Sequence, residues 1–328
     1  MSKVRCAFLI AFGCGVLFFS GITQRPLVKS SEGRVACVAQ EMLESCDYIV
    51  PHLNGEVRKE KPPLSSWAVV AVAKLSGAAG VDDWHAQVPP ALAGLALVLL
   101  LYIWIASEPG ENDPARGGLI ALVLASSIGF LMQARSAELD MILALFVGMA
   151  FFGFYKYLTT RCVVGLLVAY AALGLSILTK GHVGVIMFAP AMAAWYFFER
   201  RRAPLCVAPA RPFFHLLGVA LVLLIALPWG ISFIRQSGLT WDDFFKEGVD
   251  RFDENARHSK PFYWYMIQFP QWFLPWTLPA PLAAWCARRS PPDALSRVRR
   301  LCLFWFAMNF LLFSFVSAKQ RHYTTPFF

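Results

Sequence analysis

Charged side chains are scarce in this sequence, and long apolar runs take their place. Only 16% of the 328 residues are charged, whereas 57% are hydrophobic, and soluble domains seldom reach such values. Several apolar runs of about 17 to 22 residues could cross a bilayer core about 30 Å thick as helices. They lack the alternation of apolar and polar residues that marks transmembrane strands. The sequence therefore predicts an all-α polytopic membrane protein.

Zinc-type cysteine pairs and nucleic-acid-binding motifs are also missing. The net charge is +9, but many of the arginines lie in short loops, where positive charge fixes the orientation of a membrane protein. We therefore expect membrane lipid around the chain and no nucleic-acid partner. Most of the eight cysteines fall in apolar runs. Cys37 and Cys46 lie outside them and could form a disulfide in an oxidising compartment, although their spacing does not demand one.

The apolar runs predict about nine spans and one long loop, residues 25–87. The first run follows Lys3 and Arg5 and is interpreted as an uncleaved anchor with a cytoplasmic N-terminus. Residues 64–80 are apolar but short, and Lys74 interrupts them. If they crossed the membrane, every strongly basic loop would lie outside, so the positive-inside rule favours a surface-lying or re-entrant helix. The predicted spans lie near 5–24, 88–107, 117–134, 141–158, 162–178, 183–199, 213–234, 264–286 and 301–317.

This topology puts loop 25–87 on the extracytoplasmic face with several other charged segments. Within the loop, apolar residues recur at helical spacing along Ser31–Ser45, and this pattern predicts an amphipathic juxtamembrane helix. Glu32 lies near its start, where a negative charge suits the helix dipole. Arg34 follows in the same helix, and Glu60 and Lys61 lie in a charged cluster further along. We expect this loop to supply much of an active site on the membrane surface.

Ionisable residues near span ends are costly unless they are paired or functional. The segment 134–140 places Arg135, Glu138 and Asp140 at the junction of two predicted spans. Arg135 and Asp140 could form a structural pair, or these groups could face a site. Lys180 could extend to the interface or contact a phosphate. In residues 236–261, an amphipathic surface helix is one interpretation, and the other has Glu247 and Arg251 facing a site. Three more candidates lie near the last predicted span: Lys319, Arg321 and His322.

The motifs together resemble the polytopic glycosyltransferases that use polyprenyl-phosphate sugars, the GT-C class. The likeness is greatest to lipid A aminoarabinose transferases and protein O-mannosyltransferases. The most specific stretch is EGRVACVAQEMLESCDYIVPHLNGEVRKEKPPL, and ARSAELD, LTKGHVG, EGVDRF, HSKPFYWY, FLPW and AKQRHY follow in family order. Members of these families continue through further spans and an outer domain, so we expect this chain to correspond to their N-terminal part.

The resemblance implies a GT-C-type helix bundle and transfer of a sugar from a polyprenyl-phosphate donor to a glycolipid, protein or glycan acceptor. It implies a bacterial inner membrane location with the site facing the periplasm. The aminoarabinose enzymes begin the first motif with Asp-Glu, where this chain has Ser31-Glu32. They also place a metal-ligating histidine where this chain has Gly248, so no cofactor is certain and a divalent metal at Glu60 stays open.

Polyprenyl phosphate is a good leaving group, so the reaction needs positive charge where negative charge develops. Arg34 and Lys61 could supply that charge, together with Lys180 or Arg321. The acceptor hydroxyl needs a carboxylate to take its proton, with Glu32 as first candidate and Asp140 as second. Direct displacement would invert the anomeric centre. Two alternatives stay open at this point, a polytopic lipid transporter or flippase and a truncated, non-catalytic relative.

Overall fold

The computed structural model describes residues 2–59, 61–111, 113–202, 211–240, 260–289, 293–316 and 319–327. The regular structure of the described residues is helical apart from one short hairpin, which confirms the predicted fold class. A short antiparallel hairpin pairs His52–Leu53 with Glu56–Val57. The helices are α1 (Lys3–Phe19), α2 (Ser30–Ser45), α3 (Leu64–Leu75), α4 (Asp83–Ala106), α5 (Pro114–Ser126), α6 (Ile128–Ala134), α7 (Asp140–Thr160), α8 (Val163–Lys180), α9 (Val183–Arg202), α10 (Pro212–Ser237), α11 (Trp264–Trp272), α12 (Ala280–Arg289), α13 (Ser296–Phe315) and a 3₁₀ helix (Arg321–Phe327).

Five described helices, α4, α7, α8, α10 and α13, are long and apolar enough to cross a membrane. A sixth crossing is reached if α5 and α6 are taken together, although they meet at an angle of 72°. The bend falls at Ser127, whose extended backbone (φ −67°, ψ 135°) interrupts the helix. The region 264–286 is likewise divided, into α11 and the start of α12. The predicted count of about nine spans stays a prediction.

The loop after α1 folds as a layer of two helices, α2 on α3. The apolar face predicted for α2 is buried, with Val35, Val38 and Met42 packed in one cluster with Val69 and Val70 of α3. The 12 residues of α3 extend about 18 Å, well short of a bilayer core about 30 Å thick. This length agrees with a helix that lies on the membrane surface.

Helices α7 and α8 form an antiparallel hairpin joined by two residues. Their backbones approach closely, because a Cβ atom added at Gly153 would lie 2.3 Å from the carbonyl oxygen of Gly165. Aromatic side chains fill the core beside them, and Phe151 stacks on Trp305 of α13 with 4.1 Å between ring centroids. The hairpin brings the start of α7 and the end of α8 to the same end of the bundle.

Ion pairs connect the helices at the opposite end of the bundle. The guanidinium of Arg300 in α13 binds the buried Glu199 in α9, with an Nε–Oε2 distance of 2.8 Å. Arg116 at the start of α5 contacts both Glu111 and Asp293. Burial alone would raise the pKa of Asp293, but hydrogen bonds from Arg116 and Ser296 and the nearby arginine charges lower it to about 2. This end therefore carries its own network of charges, remote from α2.

Candidate active site

Glu32 connects α2 to the segment between α6 and α7 through hydrogen bonds. Its side chain is fully buried and lies at the third position of α2, where it accepts hydrogen bonds from the backbone amides of Val28 and Lys29. Its other oxygen accepts from the Ser136 hydroxyl at 2.8 Å, the Ala137 amide at 3.0 Å and the Arg25 guanidinium at 2.8 Å.

These donors also control the ionisation of Glu32. Burial alone would raise the pKa of this carboxyl. The hydrogen bonds from Ser136, Lys29 and Ala137, with the charge of Arg25, outweigh burial and hold the pKa below its ordinary value. Glu32 is therefore ionised at neutral pH, and each of its oxygens already accepts protein hydrogen bonds.

A second carboxylate, that of Glu138, lies on the same segment and faces the first turn of α2. Its Oε1 atom accepts a hydrogen bond of 2.7 Å from the Ser31 hydroxyl. Its Oε2 atom lies 3.5 Å from the ammonium of Lys29 and has no hydrogen-bond partner among the described residues. The side chain is largely buried, with 5% of the residue exposed.

Asp140 and Lys180 form a buried ion pair across the α7–α8 hairpin. The Lys180 Nζ lies 2.6 Å from Asp140 Oδ1, and both residues are less than one-tenth exposed. The same ammonium lies 4.5 Å from the ring centroid of Tyr323, in the 3₁₀ helix. Lys180 therefore does not extend to the interface, as one interpretation of the sequence had it, and it joins three segments of the chain.

Arg135 does not pair with Asp140, so that alternative from the sequence is wrong. Its guanidinium turns to the end of α1 and donates to the carbonyl oxygens of Leu17 and Ser20, at 2.8 Å and 2.7 Å. The last carbonyl groups of a helix lack partners within the helix, and an arginine satisfies them well. Arg135 thus has a structural contact at the edge of the candidate site.

The remaining predicted residues differ in their exposure. Arg34 and Arg321 are exposed, and Lys61 is partly buried. Lys319 is buried, and its ammonium donates to the carbonyl oxygen of Lys260 at 3.0 Å. Burial lowers the pKa of Lys319. Four further candidates lie outside the described part of the chain: Glu60, Glu247, Arg251 and the side chain of His322.

Cys37 and Cys46 form no disulfide, and the metal position that the sequence left open lies outside the described residues. Cys37 and Cys46 are free thiols, and the Cys37 thiol donates to Glu41 at 3.3 Å. The described residues contain no group of three or more histidine, cysteine, aspartate or glutamate side chains that could hold a metal ion. Glu60, the one residue proposed as a metal ligand, is not among them.

Sequence reasoning missed two residues of this site, Arg25 and Ser136, and it did not connect Ser31 with Glu138. Arg25 and Ser136 bind Glu32, and Ser31 and Glu138 bind each other. One signal was available, since the departure from Asp-Glu to Ser31-Glu32 marks the position that Glu138 contacts. Glu138, which binds Ser31, and Ser136, one of the partners of Glu32, lie more than a hundred residues away along the chain.

The fold and these contacts define a multi-pass helical membrane protein with a cluster of ionisable residues at the α2 end of its bundle. A family model described as dolichyl-phosphate-mannose-protein mannosyltransferase matches residues 60–231. This match covers more than half of the chain, which therefore belongs to that family. The family resemblance expected from the motifs is thereby confirmed.

Curated proteins resemble this chain over almost its whole length. An undecaprenyl phosphate-alpha-4-amino-4-deoxy-L-arabinose arabinosyl transferase of Aeromonas salmonicida is 29% identical over 94% of this chain and 55% of its own length. Such a transferase of Sodalis glossinidius is 31% identical over 92% of this chain and 53% of its own length. The chain thus spans about half the length of the curated relatives that it matches.

Solved structures agree on the fold. The crystal structure of ArnT from Cupriavidus metallidurans bound to undecaprenyl phosphate has a TM-score of 0.84 and 25% identity, covering 98% of this chain and 57% of that one. The Pmt1-Pmt2 complex of S. cerevisiae, a protein O-mannosyltransferase bound to its sugar donor, has a TM-score of 0.51 and 16% identity, covering 77% of this chain and 36% of that one. The GT-C-type helix bundle predicted from the motifs is thus confirmed.

Proposed function

We propose that this chain carries the membrane part of a glycosyltransferase that moves a sugar from a polyprenyl-phosphate donor to a cell-envelope acceptor. The acceptor class is a glycolipid, a protein or another glycan. Family membership supports this function, as does the likeness to an enzyme whose structure holds undecaprenyl phosphate. The observation that carries the proposal is the meeting of four distant, charged segments at one end of the bundle.

Side-chain contacts join these four segments in sequence. The first turn of α2 reaches the segment before α7 through Glu32 and Ser136. That segment ends at Asp140, which pairs with Lys180 at the end of α8. Lys180 in turn contacts the ring of Tyr323 in the 3₁₀ helix. A shared cavity for donor and acceptor needs such a meeting, because transfer occurs only when both reactants are held at one place.

The cations at this end differ in how available they are to a phosphate. Arg34 and Arg321 are exposed, so these two are the proposed contacts for the negative charge that develops on the leaving phosphate. Lys180 is already paired with Asp140 and acts in this proposal by holding α7 and α8 in place. The displacement is direct and inverts the anomeric centre.

The charge distribution supports an extracytoplasmic site in an inner membrane. Several arginines of the short loops and the adjoining helix ends lie at the end of the bundle remote from α2. They include Arg116, Arg161, Arg200, Arg211 and Arg300. Positive charge in short loops marks the cytoplasmic side, so the Glu32 end faces the periplasm in this proposal.

A transfer assay in proteoliposomes tests the function. The native protein is given radiolabelled undecaprenyl phosphate 4-amino-4-deoxy-L-arabinose or undecaprenyl phosphate mannose, with cell-envelope extract as acceptor. We expect label to appear in an envelope product for one donor. Arg34→Gln should reduce the rate at least tenfold, and Arg211→Gln, an exposed arginine at the other end, should not. Movement of labelled donor across the bilayer without transfer would contradict the proposal and favour a transporter.

A further inference from the structure

Three carboxylates meet at this end of the bundle, and they differ in their capacity to accept a proton. A general base needs a lone pair that is directed at the substrate and not already used by the protein. Glu32 accepts from five protein donors, counted over its two oxygens. Asp140 lies 2.6 Å from the Lys180 ammonium and is buried beside it. Neither candidate from the sequence meets this requirement as it stands.

Glu138 meets it better than either of them. The Ser31 hydroxyl holds its Oε1 atom at 2.7 Å, which fixes the direction of the carboxylate. Its Oε2 atom is buried and makes no hydrogen bond to any described residue, and its contact with Lys29 is an ion pair at 3.5 Å. An oriented carboxylate with one oxygen that accepts no hydrogen bond is costly to bury without a purpose.

We infer that Glu138 is the general base of the transfer, in the position that sequence reasoning gave to Glu32. This inference rests on the proposed function. In the step, the acceptor hydroxyl oxygen forms a bond to the anomeric carbon as the bond from that carbon to the phosphate oxygen breaks. The electron pair of the broken bond stays on the polyprenyl phosphate, and the hydroxyl proton passes to Oε2 of Glu138.

The first turn of α2 explains why this carboxylate could take the role. The carboxylate of Glu138, which comes from the segment before α7, lies one hydrogen bond from the Ser31 hydroxyl in that turn. Glu32 is then a positioning residue, since it fixes the loop and the segment that carries Glu138.

Glu138→Gln tests the inference, because the amide keeps the size of the side chain and its acceptor for Ser31. In the transfer assay with the two labelled undecaprenyl-phosphate sugars, we expect kcat to fall on the order of 10²- to 10⁴-fold with KM nearly unchanged. Glu32→Gln is the comparison, and it should raise KM and loosen the loop, with a smaller loss of kcat than in E138Q.

Two results would overturn the inference while the proposed function stands. One is near-normal kcat in E138Q, and the other is a larger loss of kcat at unchanged KM in E32Q or D140N than in E138Q. If E138Q lowers the unfolding temperature, Ser31→Ala decides instead, because loss of the hydrogen bond that orients Glu138 should lower kcat with KM nearly unchanged, and an unchanged kcat contradicts the inference. A wild-type protein that transfers neither sugar overturns the proposed function, and the inference fails with it.

Discussion

Replacing Glu32 by glutamine should release the first loop from the segment before α7. The new amide group can accept through only one of its two ends. In one orientation its NH₂ group, which cannot accept, points at the amides of Val28 and Lys29. In the other orientation the NH₂ group points at the donors of Arg25, Ser136 and Ala137. At least two donors therefore lose their acceptor, and the ion pair to Arg25 is lost as well.

The size of this effect follows from those contacts. A hydrogen bond to a charged group contributes about 1.5–3 kcal/mol, so two lost bonds cost about 3 kcal/mol at the lower bound. Because Arg25 is partly exposed, its ion pair adds little to that figure. At 1.36 kcal/mol per tenfold change, the ratio of ordered to released loop should fall about 150-fold.

Hydrogen exchange of the Val28, Lys29 and Ala137 amides measures this ratio directly. All three amides donate to Glu32, so their protection should fall together by about two orders of magnitude in E32Q. Glu44→Gln is the control, since Glu44 lies on the exposed face of the same helix. Unchanged protection in E32Q would refute the claim that hydrogen bonds of Glu32 hold the two segments together.

The same amides should respond to acid in the wild-type protein. Because the folded pKa of Glu32 is lowered, the stability it contributes is present above its ordinary pKa and is lost as the pH falls through the folded value. We expect protection of the Val28 and Lys29 amides to be constant from neutral pH to about pH 5 and to decline below the ordinary range of a glutamate carboxyl. Protection that declines already between pH 7 and pH 5 would mean that another group controls the loop.

Three further predictions concern the helices around the site. Gly153→Ala should destabilise the protein by about 1–3 kcal/mol, because the added Cβ would meet the Gly165 carbonyl. Gly13→Ala is the control, since a Cβ added there would contact no neighbouring element within 4 Å. Thermal unfolding in detergent compares the two variants. Asp140→Asn should lower the free energy of unfolding by about 3–5 kcal/mol, because the buried Lys180 ammonium loses its charge partner. The double variant D140N with Lys180→Met should lose much less stability. Equal losses in the two variants would contradict a buried ion pair. Arg135→Gln should lower the unfolding temperature by removing the contacts to the end of α1, and an unchanged temperature together with lost transfer would show instead that Arg135 acts on the substrate.

Local patterns allowed the helices of the first loop to be predicted. The spacing of Val35, Val38 and Met42 predicts an amphipathic helix, and the structure buries that face against α3. Glu32 near the helix start was expected to favour the dipole, and it does accept from the Lys29 amide there. These predictions depend on neighbours within one or two turns, which the sequence contains.

Tertiary partners could not be predicted in the same way. Glu32 stands beside Arg34 in the sequence, but its cation is Arg25, seven residues away in a non-helical stretch. Lys180 at a helix end is typical of a side chain that extends to the interface, and only the packing of α7 on α8 brings it to Asp140, forty residues away. The role of Glu138 depends on a contact more than a hundred residues apart, and no periodicity encodes such a contact.

The sidedness of single residues tests the central claim, that the charged segments share one extracytoplasmic face. Cysteines are placed at Arg34, Arg321 and Arg211, which are all exposed, in a protein whose exposed native cysteines are serine. A membrane-impermeant maleimide added to intact cells should label positions 34 and 321, and should label position 211 only after the membrane is permeabilised. Labelling of positions 34 and 321 from opposite sides would contradict the account, because no single cavity could then hold both cations.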